Sequence, residues 1–326
     1  MKIIGLEEHW WTAELSDALR RVTGDARDDA VAQLVNPARD QRMRDAGEGR
    51  LADMRECGVD LQVLSVGPPA TQSLPAADAV PMARDLNDRL AAAVTAHPNR
   101  FAAFATLPTP DPDAAAAELE RAVTQLGCVG TMINGRTGDR MLDDPAYDDI
   151  FAVAARLDVP VYIHPQIPAR AVRTALYSGL DPTVEVALAT GGWGWHMEAG
   201  LAALRLILRG TLDRHPDLKL ILGHWGEMLT YWVERVNRIS PLTGLDREIA
   251  EYVRDNLYVT PSGIFHERLL RRSVVIVGAE HILFSTDYPF GFAPEKGARH
   301  FLENAPLSQE EIELIAHGNA ERLLRL

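Results

Sequence analysis

Cysteine is nearly missing from this chain, with Cys57 and Cys128 the two thiols in 326 residues. So few exclude a disulfide framework. Each sits beside a glycine in apolar surroundings, the setting of a buried free thiol in a reducing cytoplasm. Long hydrophobic runs are also missing: none reaches the roughly 18 apolar residues of a membrane span. The opening "MKIIGLEEHW" has one lysine and then carboxylates, which is the wrong pattern for an export signal. Basic charge is in deficit, 33 Lys and Arg against 46 Asp and Glu, for a formal charge of −13. That balance argues against a nucleic-acid or anionic-membrane surface and for a soluble, cytoplasmic protein. No glycine-rich phosphate fingerprint follows the first apolar run, so nothing marks a dinucleotide or flavin oxidoreductase. Internal repeats, low-complexity tracts and Pro/Ser-rich linkers are absent, so nothing divides the chain into separate domains.

What is present is an alternation. At 47% hydrophobic the chain can bury a sizeable core. Eight short apolar runs read as strands buried on both faces: "KIIGL" (2–6), "LQVLSV" (61–66), "FAAFATL" (101–107), "CVGTMIN" (128–134), "PVYIHP" (160–165), "LKLILGH" (218–224), "LYVTPS" (257–262) and "HILFSTD" (281–287). Segments such as "DAAAAELERAVTQL" and "PAYDDIFAVAARL" lie between them, apolar at three-to-four spacing, begun by Asp or Pro and closed by Gly or Asp. Strand then helix, repeated eight times, is the pattern of a (β/α)8 TIM barrel, here one domain over residues 1–326. A doubly wound sheet is the alternative. Residues 12–50, polar and charge-rich, read as a helical insertion after the first strand that partly covers the barrel mouth. "GLDPTVEVALATGGWGWHMEAG" reads as a second loop insertion. Barrels carry substrate specificity on such mouth-side loops.

The end of the first strand poses a chemical question, because "GLEEHWWT" sets Glu7, Glu8 and His9 side by side where a core begins. Ionisable groups are rarely buried unless they are paired or bind a metal. Alternation along a strand points Glu7 and His9 to one side and Glu8 to the other. Polar residues also close three other strands: His164 in "PVYIHP", His224 in "LKLILGH" and Asp287 in "HILFSTD". Taken singly, a histidine closing an apolar run is ordinarily a satisfied core or loop residue, and Asp287 before "YPF" is an ordinary helix cap. Together, at the C-terminal ends of barrel strands, they point to a site. Glu7, His9, His164 and Asp287 form a nitrogen and oxygen donor set without thiolate, suited to Zn²⁺, Mn²⁺ or Fe²⁺. His224 and Glu227, three apart in "GHWGE", read as a pair on the first turn after the sixth strand, the carboxylate orienting the imidazole. A first-turn Glu is also favoured by the helix dipole alone.

These residues, with "LEEH", "VLSVGPPATQ", "INGR", "LDDPAYDDIFAVAARLDVPVYIHP", "LRLILRGTLDRHPDLKLILGHWGEMLTYWVER", "STDYPFG" and "HGNAERLLRL", run the length of the chain. The combination resembles the amidohydrolase superfamily, in the branch of metal-dependent nonoxidative decarboxylases that includes γ-resorcylate, 2,3-dihydroxybenzoate and aminocarboxymuconate semialdehyde decarboxylases. The resemblance implies one divalent metal ion, Zn or Mn, on Glu7, His9, His164 and Asp287, with a catalytic His224 and a supporting Glu227. It also places Asn134 near the substrate and Arg235 where some relatives serve a neighbouring subunit's site, and so implies a homodimer or homotetramer. Glu7 stands where hydrolases of the superfamily have the first histidine of a His-x-His pair, which favours decarboxylation.

The implied substrate is a small aromatic carboxylic acid whose ortho hydroxyl and carboxylate chelate the metal. Asp287 protonates the ring carbon before CO2 leaves, and His224 and Glu227 manage the phenolic proton. Trp10, Trp11, Trp193, Trp195 and Trp225 read either as a water-excluding mouth or, the plainer reading for a tryptophan near a strand end, as core. His196, in "GWHMEAG", either contacts substrate or merely begins a helix, the second being the plainer reading. A hydrolase of the same superfamily, cleaving a lactone or amide, is the nearest rival. A noncatalytic barrel would be expected to have lost a ligand, and all four are present.

Overall fold

The computed structural model describes residues 1–34 and 36–326, so Val35, inside the expected 12–50 insertion, lies outside the described residues. Among the described residues nine strands form: β1 (Ile4–Trp10), β2 (Leu61–Val66), β3 (Phe101–Ala103), β4 (Thr131–Asn134), β5 (Arg136–Thr137), β6 (Arg140–Met141), β7 (Val161–His164), β8 (Leu220–Leu222) and β9 (Leu257–Val259). β5 and β6 make a small antiparallel hairpin on the loop after β4. The others pair in parallel as β1-β2-β3 and β4-β7-β8-β9. Single bridges join the two sheets. Ala105 pairs with Thr131, Val259 with Ile282, and Glu8 with Tyr288. The expected eighth strand, 281–287, is therefore a stave held by bridges and by Leu6 N donating to Phe284 O at 2.9 Å, not a continuous strand. With it the sheet closes into a (β/α)8 TIM barrel.

Every stave contributes to one interior cluster: Ile4 and Leu6, Leu61 and Val63, Ala102 and Phe104, Met132, Tyr162, Ile221, Tyr258 and Leu283. Ala320 and Leu324 join this cluster from the C-terminal helix Asn319–Leu324. The alternate residues, including Leu64, Val66, Ile133, Ile163, Leu222, Val259 and Phe284, belong to the larger apolar layer shared with the helices. Both faces of each strand are thus buried, as the continuous apolar runs require. The helices follow their sequence signals: Pro112–Leu126 starts where Asp111 accepts from Ala114 N and stops at Gly127, in the left-handed conformation.

Three expectations are corrected. β1 extends beyond residues 2–6 to Trp10, because its polar end is taken into the core and not left as a loop. The stretch read as a loop around residues 180–200 is largely helical, with Pro182–Ala187, a π turn Leu188–Gly192 and the long helix Gly194–Leu208. His224 and Glu227 lie on no helical turn. They sit with Trp225 and Met228 in a loop of left-handed residues that precedes the helix Leu229–Val236.

Between β1 and β2 the chain forms helices Ala13–Arg21, Asp29–Leu34, Pro37–Arg44 and Glu48–Cys57. Residues of this segment, among them Arg21, Val22 and Asp28, face Gln72, Arg136 and Gln166 across a cavity of about 1230 Å³. No helix among the described residues is long and apolar enough to cross a membrane.

Candidate functional site

Counting by two along the interior explains where the polar groups come from. Two residues beyond interior Val63, Met132, Tyr162 and Ile221 stand Ser65, Asn134, His164 and Gly223; beyond Tyr258 stand Thr260 and Ser262, and beyond Leu283 stand Ser285 and Asp287. In β1 the same count would bring Glu8 inward. A β-bulge prevents it. Gly5 pairs with Gln62 and Glu8 with Leu64, so three steps on β1 match two on β2. The extra residue turns Glu7 and His9 into the barrel and Glu8 out of it.

Glu8, fully buried, accepts from Thr286 N at 2.8 Å, Thr286 Oγ1 at 2.6 Å and Gln62 Nε2 at 3.0 Å, and so ties β1 to its neighbours on both sides. Burial pushes its carboxyl up to about 8 against the pull of Thr286. Arg50 completes the tie by donating to His9 O and lying 4.4 Å from the Tyr288 ring.

Inside, Glu7, His9, His164 and Asp287 bring one donor atom each to within 4.8 Å of all the others. His164 Nδ1 donates to Pro165 O at 2.6 Å, so the lone pair of the neutral ring lies on Nε2, 3.2 Å from Glu7 Oε1. His9 Nε2 lies 3.2 Å from Asp287 Oδ1, and its Nδ1 shares a hydrogen bond with Ser65 Oγ at 3.2 Å. Glu7 Oε1 and His9 Nε2 are buried with no hydrogen-bond partner among the described residues. Ligand-type atoms turned on one another in a buried site suit a cation between them. Atoms each bound to one small divalent ion lie about 3.0–3.4 Å apart, so these separations fit. Burial opposes charge on Glu7, but His224, His164 and His9 outweigh it and hold the carboxyl far below its usual range. Burial, with Glu7 added, pushes Asp287 up.

Two hydroxyl groups fix the second oxygen of Glu7. Glu7 Oε2 accepts from Tyr162 Oη at 2.6 Å and from Ser262 Oγ. Sequence reasoning missed both donors. Tyr162 was within reach, being two residues before His164 on the same face of "VYIH", whereas Ser262 follows the end of β9 and carries no local signal.

The second cluster is different in kind. His224 Nδ1 lies 2.5 Å from Glu227 Oε1, and His196 Nδ1 lies 2.7 Å from Glu227 Oε2. Its atoms satisfy one another, whereas those of the first do not. Burial works against the His224 cation, but Glu227, Glu7 and Asp287 raise it to about 10, and Glu227 is held down near 2 by His224 and His196 despite its own burial. Ser262 links the clusters, because its Oγ accepts from His224 N at 2.9 Å and donates to Glu7.

An amidohydrolase family profile matches residues 9–326. The chain belongs to the amidohydrolase family. Within that family it is 36% identical to the decarboxylase orsB of Emericella nidulans, over 99% of this chain and 97% of that one. The 5-carboxyvanillate decarboxylase LigW of Sphingomonas paucimobilis superposes with a TM-score of 0.91 at 32% identity, covering 100% of this chain and 99% of that one. A dihydroxybenzoic acid decarboxylase of Polaromonas sp. JS666, solved with bound manganese and the inhibitor 2-nitroresorcinol, superposes at 0.87 with 34% identity, covering 100% and 97%.

The remaining candidates of this amidohydrolase fall as follows. Asn134 pairs with His164 across β4 and β7, buried, its Nδ2 donating to Pro69 O at 3.1 Å and its N–H to Gln72 Oε1 at 2.5 Å. Arg235 is exposed on the helix Leu229–Val236 and is not drawn into either cluster. Of the five tryptophans, Trp10, Trp11 and Trp225 take the plainer reading, buried in the apolar layer, and Trp193 is exposed. Trp195 has its ring 6.3 Å from that of His164, and its buried indole N–H has no partner among the described residues. His196 begins a helix, as expected, but it also contacts Glu227, which was not.

Proposed function

We propose that this chain is a metal-dependent, nonoxidative decarboxylase of an ortho-hydroxylated aromatic carboxylic acid. The observation that carries the reading is the meeting, at one barrel end, of an unsatisfied four-ligand group and a self-satisfied His–Glu pair. It is supported by full-length similarity to decarboxylases of such acids. Glu7, His9, His164 and Asp287 would hold one divalent ion, manganese as in the relative or zinc. When bound, it supplies an electrophilic anchor for the carboxylate and phenolate oxygens.

The residues of the chain do the rest. Asp287, its side chain 19% exposed toward the mouth and its carboxyl raised by burial, donates a proton to the ring carbon that bears the carboxylate. That carbon becomes tetrahedral; the bond to the carboxylate then breaks, its electron pair restores the aromatic ring, and CO2 leaves. His224, with Nδ1 committed to Glu227, offers Nε2 to the phenolic oxygen and stabilises charge there. Asn134 lies beside His164 as a substrate contact. In D2O the product should carry one deuteron at the vacated ring position, read by proton NMR. Acid released from a lactone or amide with no ring label would instead favour the hydrolase.

We also read Arg235 as serving the site of a neighbouring subunit in a homodimer or homotetramer. Tyr231 and Trp232 on its helix, and Trp193, Met197 and Leu201 on the helix Gly194–Leu208, are exposed apolar side chains of the kind that subunit interfaces cover. Buried, free Cys57 and Cys128 support a cytoplasmic setting.

A further inference from the structure

Glu227 has no exposed surface, and each of its carboxylate oxygens meets one imidazole nitrogen: His224 Nδ1 at Oε1 and His196 Nδ1 at Oε2. The second contact is built into the backbone. His196 and Gly200 are four apart and share a face of the helix Gly194–Leu208. At Gly200 that helix lies so close to the loop that a Cβ would stand 2.1 Å from Glu227 O. The other ring nitrogen of His196, Nε2, faces Gly191 O at 3.0 Å in the π turn that precedes the helix. Both neighbours are acceptors, and an N–H on Nδ1 gives Glu227 Oε2 its donor. The loop it braces is costly: His224, Trp225, Glu227 and Met228 all hold positive φ. Without a donor at Oε2, a buried carboxylate oxygen loses its partner and the carboxylate is free to turn away from His224.

We infer that His196 is a positioning residue for the reaction: it fixes the Glu227 carboxylate and, through it, the orientation and charge of His224. This rests on the decarboxylase reading for its kinetic consequence, but the geometry it describes can be tested without turnover.

The test uses the zinc-loaded protein and two variants, His196→Leu, which removes the ring donor, and His196→Asn, whose amide N–H can replace Nδ1. In His196→Leu we expect unchanged metal content, kcat lower by about 10–100-fold and KM within about twofold. The downfield Nδ1–H proton resonance of His224 should shift or broaden. His196→Asn should restore most of both readouts. Wild-type kcat and an unmoved resonance in His196→Leu would overturn the inference, as would a folded His196→Asn as impaired as the leucine variant. If the leucine variant does not fold, the asparagine variant decides by the same two readouts. Should the wild type release CO2 from no acid, the decarboxylase reading fails, and the resonance alone judges His196.

Discussion

Asp287 sits 3.2 Å from His9 Nε2 with part of its side chain open to the mouth, one carboxyl able to serve as ligand and as proton donor. Asp287→Asn keeps the size and removes the acid. Turnover should fall by about 10²–10⁴-fold while the thermal transition stays; full turnover would exclude Asp287 as the donor. Away from the site, His281 stacks on Tyr258 at 4.6 Å, and burial lowers it below its ordinary 6.5. The unfolded chain then binds its proton more readily than the folded one, so stability from this group is complete above pH 6.5 and is lost as pH falls through its folded value. Denaturant unfolding between pH 7 and 5 should show that decline, and His281→Phe should flatten it. At this scale the sequence was informative where a residue's type is improbable for its place, as with Glu7, His9, His164 and Asp287. It was silent on Ser262 and ambiguous on His196, whose roles exist only through contacts with residues far along the chain.

The bulge in β1 turns a run of seven buried residues into two faces with different chemistry. Ile4 and Leu6 fill the barrel below, Glu7 and His9 face the ligands above, and Glu8 ties the outside. Strand positions were readable because apolar runs are local. The bulge was not, since an inserted residue leaves no mark in the pattern, and the eighth stave was overread because an apolar run does not say how many backbone pairs it completes. At the end of β8 stands Gly223, where a Cβ would lie 2.6 Å from Ser262 Oγ, 2.9 Å from Tyr162 Oη and 3.1 Å from Glu7 Oε2. Gly223→Ala should therefore displace the donors that orient Glu7. We expect a loss of stability of about 1–3 kcal/mol and weaker metal retention by elemental analysis after dialysis. An alanine variant that keeps its metal would show that the close packing there is dispensable.

The barrel as a whole brings residues from positions 7 to 287 to one end, which is why the site was legible as a set and not as any one motif. Its closure relies on the bridges 105–131, 259–282 and 8–288, so we expect residues 1–326 to unfold as one unit in a single calorimetric transition. The insertion at 12–50 was legible as helical and mouth-side, whereas the cavity its helices share with Gln166 and Gln72 was not, because it depends on contacts with residues far along the chain. If Arg235 serves a neighbour, specific activity should fall on dilution as subunits separate; activity that persists in a proven monomer excludes that role. The most direct measurement of the proposed chemistry is CO2 release from ortho-hydroxybenzoates by protein stripped with a chelator and then titrated with Mn²⁺. Release should vanish with the metal and return to a plateau at one ion per chain; release that ignores the chelator, or a fully metallated protein that releases nothing from any such acid, would contradict it.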